Sequence, residues 1–254
     1  SHPEQVVAVV QSYQPADVPA LTKIAEAAEE AWGRRPVAER VAGMGKAASL
    51  MRDQRWDLAA WEVFEEGKPW READADVAEA IDFLEYYAGE MARLDPPPRL
   101  GRYPGELNEV LWNSRGVTVV IAPWNFPLAI PTGMVAAALV AGNPVLFKPS
   151  ERSSAMGYQL ARILLDAGVP KGLLQYIPGG PELGRELVVS AAVRTIAFTG
   201  SKDVGLGIMQ AAGVQQPGQR FVMRVIDEMG GKNAVIVDET ADLDRLRHAL
   251  AGLE

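Results

Sequence analysis

The sequence predicts an α/β fold, an open doubly wound parallel sheet with a layer of helices at its N-terminal side. Three observations predict it. Beyond the Pro96-Pro97-Pro98 run, short apolar segments alternate with helical stretches, which is how a parallel sheet covered on both faces is written in sequence. Before that run, apolar residues recur at spacings of three and four, the period of amphipathic helices. The chain has 254 residues, 48% of them hydrophobic, enough to bury a substantial core.

Each element follows in chain order. Residues 4–10 contain Val6, Val7, Val9 and Val10, which suits a strand. A helix is expected over 17–32, with Leu21, Ile24, Ala25, Ala28 and Trp32 on one stripe, Asp17 as its cap and Gly33 at its stop. A second helix covers 37–51 through Val41, Met44 and Ala48. A third, short one covers 56–64 and ends at Glu66-Gly67-Lys68-Pro69. The fourth is long, over 71–94, with Val77, Ile81, Leu84 and Tyr87-Ala88 aligned. Residues 106–114 alternate weakly and read as a strand entering a turn at Arg115-Gly116. Apolar runs at 117–122, 144–147, 173–177, 194–198 and 234–237 read as strands, with 220–226 as a further candidate. Helices are expected around 127–141, 153–167, 181–190 and 203–213. The N-terminal helices should pack beside the sheet as its outer wall. There is no internal repeat and no low-complexity tract.

Composition excludes several classes. With 25 basic against 33 acidic residues and a net charge of -8, the chain lacks the basic face that neutralises phosphates, so no nucleic-acid partner is expected. No apolar run approaches the ~20 residues of a membrane span, and no basic-then-apolar signal pattern opens the chain, so a cytoplasmic setting without a membrane partner is expected. There is no cysteine, and the only histidines are His2 and His248. Disulfides, thiolate zinc sites and a cysteine nucleophile within this chain are therefore excluded, a histidine-based triad has few candidates, and no metal site is expected.

Four segments carry chemistry, each near the carboxyl end of an expected strand, where open α/β sheets bind ligands. The glycine fingerprint of ordinary dinucleotide folds is missing. In its place Ala122 leads into Pro123-Trp124-Asn125-Phe126-Pro127, a rigid loop in which Asn125 offers an amide donor. A plain turn is the alternative. In Phe147-Lys148-Pro149-Ser150-Glu151, a lysine and a carboxylate three residues apart could grip a ribose, or form a solvated surface ion pair. Phe198-Thr199-Gly200-Ser201-Lys202-Asp203-Val204-Gly205 passes from strand to helix through a Gly-Ser step. Its free amides suit a pyrophosphate, and a helix cap by Ser201 is compatible with that reading. In Glu228-Met229-Gly230-Gly231, a carboxylate ends an apolar strand and could act as a general base, or be a strand-end acid before a turn.

Taken together and in this order, the four segments resemble the NAD(P)-dependent aldehyde dehydrogenase superfamily over essentially the whole chain. Within it they are most similar to the Δ1-pyrroline-5-carboxylate (L-glutamate γ-semialdehyde) dehydrogenases. Glu66-Gly67-Lys68-Pro69-Trp70 and the stretch from Ala73 to Phe83 carry the same resemblance. The resemblance implies that Asn125 helps hold the oxyanion of a tetrahedral intermediate, and that Glu228 activates the nucleophile or the deacylating water. It implies that Lys148 and Glu151 hold the adenosine ribose, that Gly180 lets the adenine approach the backbone, and that Ser201 meets the pyrophosphate, with Gly200 and Gly205 shaping that turn. Ala122, Pro123, Trp124, Met229 and Gly230 join them in binding NAD, and Phe126 borders the tunnel for a small-molecule aldehyde. By the same resemblance, residues 1–105 form the helical part of the cofactor-binding domain, 106–116 a β-flap of the oligomerisation region, and 117–254 the NAD-binding core. The family's reaction needs a cysteine thiolate, so the chain is expected to be an N-terminal piece without its catalytic domain, inactive alone, from a homo-oligomeric parent. The competing expectations are an aldehyde dehydrogenase of other substrate specificity and a nucleotide-binding module without chemistry.

Overall fold

A computed structural model describes residues 4–251 of the chain. The helical periodicity is realised as α1 (Val18–Gly33), α2 (Val37–Asp53), α3 (Arg55–Glu66) and α4 (Trp70–Leu94). α3 stops at Gly67, whose φ of 74° is the left-handed conformation that glycine adopts without a steric cost. The strands are β1 (Thr118–Ile121), β2 (Val145–Lys148), β3 (Leu174–Tyr176), β4 (Thr195–Gly200) and β5 (Arg224–Met229). They form one sheet in the order β3-β2-β1-β4-β5, every neighbour parallel. Parallel neighbours require crossovers, supplied by α5 (Ala129–Val140), α6 (Ser154–Asp166), α7 (Pro181–Val188) and α8 (Lys202–Ala212). The order reverses at β1, which opens a crevice at the carboxyl ends of β1 and β4.

Successive strand residues serve opposite faces, and the two cores show it. Val120, Val145, Phe147 and Ala197 pack with α2, α3, α4, α5 and α6. Val119, Leu146, Ile196 and Phe198 pack with α1, α7 and α8. The N-terminal helices are thus divided, with α1 on one face and the other three outside α5 and α6. β5 is an edge strand. Its residues Val225 and Met229 pack on the α8 side, while Arg224, Ile226 and Glu228 on the other side are exposed.

Several sequence expectations are corrected. Residues 4–10 form no strand and pair with no strand of the sheet; the nearest link to it is Tyr13 N donating to Pro178 O at 2.8 Å. Segment 106–114 has no strand either, only an isolated antiparallel bridge between Arg99 and Glu109. Residues 234–237 lie outside regular structure, and Ile236 is 92% exposed. The last strand is instead β5, displaced toward the C-terminus of the 220–226 candidate. Asp17 does not cap α1. Its carboxylate turns back to accept from Gln14 N at 2.8 Å. A ninth helix, α9 (Leu243–Ala251), ends the described residues.

Candidate functional site

The sequence-predicted residues all lie along the carboxyl edge of the sheet, where the structure sorts them onto its two faces. Ala122 to Phe126 follow β1 directly. Lys148 ends β2, Gly180 is the N-cap of α7, Gly200 ends β4, and Ser201 is the N-cap of α8. Thr199 is in register with Glu228, so their side chains share one face. That face is the one bearing α5, since the Thr199 hydroxyl meets Met134 Sδ of α5 at 3.8 Å. Glu228 therefore stands on the same side of the sheet as the helix that the Asn125 loop introduces. Lys148, Glu151, Gly180, Ser201 and Gly205 gather on the other side, with α7 and α8.

The pair Lys148 and Glu151 is not a solvated ion pair. Lys148 is 7% exposed, and its Nζ finds only the neighbouring Pro149 carbonyl, at 3.5 Å. Burial pulls its pKa below the usual lysine range, and the charge of Glu151 acts against that shift. Among the described residues, neither oxygen of the Glu151 carboxylate accepts a hydrogen bond from protein. A buried lysine with one long intramolecular hydrogen bond, next to an exposed carboxylate that accepts nothing from protein, fits a ligand that brings both a donor and an acceptor, such as a sugar diol. The glycines above them keep the space open. A Cβ on Gly180 would stand 3.4 Å from Glu151 Oε1, and one on Gly184 would stand 3.6 Å from Lys148 Cε.

Which helix could take a phosphate is decided by which N-terminus is free. The first turn of α5 is closed by Asp76 of α4, whose Oδ1 accepts from Ala129 N at 2.7 Å. That of α6 is closed by Glu65 of α3, which accepts from Ala155 N and Met156 N, both at 2.7 Å. α7 and α8 have no side-chain cap; α7 opens with Pro181, which has no amide hydrogen, so α8 offers the fuller first turn, and its Ser201 hydroxyl makes no capping bond to the helix. The helix is also drawn tightly onto β5. A Cβ on Gly205 would fall 2.5 Å from Met229 Sδ, and one on Gly200 would fall 2.7 Å from Phe198 Cζ. A side chain at either position would have to displace the Met229 or Phe198 side chain.

The loop after β1 is held by cations on its aromatics. The Arg152 guanidinium lies 5.4 Å from the Trp124 ring centre, and Lys68 Nζ lies 4.5 Å from that of Phe126. Sequence reasoning gave no role to Lys68, Asp76 or Glu65. A signal existed: Asp76 interrupts the buried stripe of Ala73, Val77, Ala80 and Ile81, and an acid on an apolar stripe needs a partner. The wider clefts lie elsewhere. One, of about 720 Å³, runs under residues 8–13 against Trp61, Tyr158 and Tyr176, and one of about 390 Å³ beside it reaches Glu151. Neither meets Asn125 or Glu228.

Comparison with known proteins identifies the family of the fold. The family model described as "Aldehyde dehydrogenase family" matches residues 1–252. A 1-pyrroline-5-carboxylate dehydrogenase of Geobacillus thermodenitrificans is 48% identical over 223 residues, which is 87% of this chain and 43% of that protein. Proline utilization A from Bdellovibrio bacteriovorus superposes with a TM-score of 0.93 at 48% identity, over 96% of this chain and 25% of that one. A 1-pyrroline-5-carboxylate dehydrogenase from Thermus, solved with bound NAD, superposes with a TM-score of 0.93 at 44% identity, over 97% of this chain and 48% of that one. The chain thus spans less than half the length of each of these relatives. Since the match runs through the whole sheet and the helices around it, the chain belongs to the aldehyde dehydrogenase family.

Proposed function

We propose that this chain is the NAD-binding portion of an enzyme that oxidises L-glutamate γ-semialdehyde to glutamate. The observation that carries the reading is the division of labour along one sheet edge. The uncapped N-terminus of α8, the buried Lys148 and the solvent-facing Glu151 share the α7/α8 face, and Glu228 shares the α5 face with the helix after Asn125. The substrate assignment draws its support from the relatives named above.

In this reading Lys148 donates to, and Glu151 accepts from, the hydroxyls of the adenosine ribose. The first-turn amides of α8, with the Ser201 hydroxyl, receive the pyrophosphate. Gly180 leaves room for the adenine, Gly200 and Gly205 hold the turn, and Ala122, Pro123, Trp124, Met229 and Gly230 line the rest of the site. When bound, NAD supplies the hydride acceptor. Asn125 donates its side-chain amide to the oxygen of the aldehyde as that oxygen gains negative charge, and Phe126 borders the aldehyde. Glu228 accepts a proton, either from the nucleophile or from the water that releases the acid. The chain contains no cysteine. A thiolate nucleophile therefore has to come from the part of the relatives' length that this chain does not span.

Titration of the chain with NAD, followed by calorimetry, tests the cofactor half of this reading without needing catalysis. Saturable binding that weakens at least ~tenfold in Glu151→Ala is expected, from the loss of a charge-assisted hydrogen bond. No binding, or equal binding by Glu151→Ala, would remove Glu151 from the site.

A further inference from the structure

Lys68 sits behind the loop that carries Asn125, at the junction of α3 and α4. Its Nζ is 2.7 Å from Asp76 Oδ2, 3.2 Å from Glu62 Oε2 and 4.5 Å from the Phe126 ring centre. Its side chain is 13% exposed, and those of both acids are fully buried. The other oxygen of Asp76 accepts from Ala129 N, the first residue of α5. The cation thus meets the loop at two points, directly at Phe126 and through Asp76 at Ala129. Asn125 stands immediately before Phe126. Leu128, at the N-cap of α5, cannot supply a side-chain cap, so this end of the loop depends on Asp76 for its anchor.

We propose that Lys68 is a positioning residue that fixes the Asn125 loop against the sheet by these two contacts, so that the Asn125 amide is held in place before an aldehyde arrives. The inference rests on the reading of Asn125 as the oxyanion donor. Its physical content is preorganisation: a donor already fixed reorganises little as charge develops. A lysine is suited to this position because one ammonium can donate to carboxylates and still present its charge to a ring face. Burial and the charge of Asp76 raise the Glu62 carboxyl to a pKa of about 9, so Glu62 is protonated at neutral pH and Lys68 balances Asp76 alone.

The test uses this chain, labelled with 4-fluorophenylalanine, and reads two sites. In Lys68→Met the Ala129 amide should exchange with solvent about tenfold faster or more, because the carboxylate it bonds loses its counter-charge. The fluorine signal of Phe126, assigned by its loss in Phe126→Leu, should move toward that of the free amino acid. The Ala155 and Met156 amides, held by Glu65, should keep their rates, and Lys68→Arg should preserve both readouts. If either readout is unchanged in a folded Lys68→Met, or if all slow amides accelerate equally, the proposal is overturned. Should Lys68→Met fail to fold, the neutral pair Lys68→Met with Asp76→Asn replaces it. A Phe126 signal unmoved in that pair would show that Lys68 only balances charge, which also overturns the proposal. Neither readout involves the chemistry of Asn125. If both behave as expected but Asn125→Ala leaves turnover intact in a chain that carries the nucleophile, the oxyanion reading alone fails.

Discussion

Replacing Glu62 by glutamine should stabilise the chain, by an amount that grows with pH. Glu62 lies on α3 with a fully buried side chain, and among the described residues neither of its oxygens makes a hydrogen bond. Burial, and next the charge of Asp76, lift its pKa from the ordinary 4.5 to about 9, while Lys68 opposes the shift. The folded pKa is the higher one, so the folded chain holds a proton that the unfolded chain releases. Below the unfolded pKa the group costs nothing. As pH rises from there toward the folded pKa, stability is progressively lost. At about pH 7.5 the cost is roughly three pH units at 1.36 kcal/mol each, or about 4 kcal/mol. Glutamine fills nearly the same volume, can keep an oxygen toward Lys68 and carries no proton to release, so most of that cost is relieved, a gain of about 3 kcal/mol. Urea unfolding of parent and Glu62→Gln at pH values from 5 to 8 measures it. The difference should be near zero at the acid end and widen steadily toward pH 8. A variant less stable than the parent at pH 7.5, or a difference that does not change with pH, would refute the reasoning.

Glu65→Ala should cost about 2–4 kcal/mol in the same assay, because two buried first-turn amides of α6 lose a charged acceptor, and Glu65→Gln should cost less. The chain should bind NAD more tightly than NADP, since a 2′-phosphate removes a donor to Glu151 and sets a dianion against it. Glu151→Gln should narrow that gap by roughly tenfold in calorimetric titrations, and tighter binding of NADP by the parent would contradict the assignment. The purified 254-residue chain, which has no cysteine, should yield no NADH from glutamate γ-semialdehyde, as followed by absorbance, and any sustained production would overturn the proposed thiolate requirement. In a longer chain that carries the nucleophile, Glu228→Gln should slow turnover far more than it weakens NAD binding, and an unchanged rate would exclude Glu228 from the chemistry.

The helices and four of the five strands could be read from sequence because their signals are local. Leu84 and Ala88 recur on α4 at the helical period, and β1, β2, β3 and β4 are apolar runs because a central parallel strand is buried on both faces. The valines at 6–10 and 234–237 carry the same composition without forming strands. A strand is a relation between two segments, and neither of these pairs with another. β5 was placed too early for a related reason. As an edge strand exposed on one face it alternates, and Arg224 and Glu228 interrupt the apolar run that marks its neighbours.

For the site, the sequence by itself determined which residue types stand at the ends of the strands. The order Asn125, Lys148, Glu151, Ser201, Glu228 follows from a chain that returns to the same sheet edge after every crossover. Only the tertiary structure decided which of these residues share a face, and which helix N-termini remain free. Asp76 reaches Ala129 across 53 positions, and Glu65 reaches Ala155 across 90. No periodicity encodes such contacts, because they exist only once two layers have packed. They close α5 and α6 to an anion, whereas α7, which begins with a proline, and α8 have no side-chain cap.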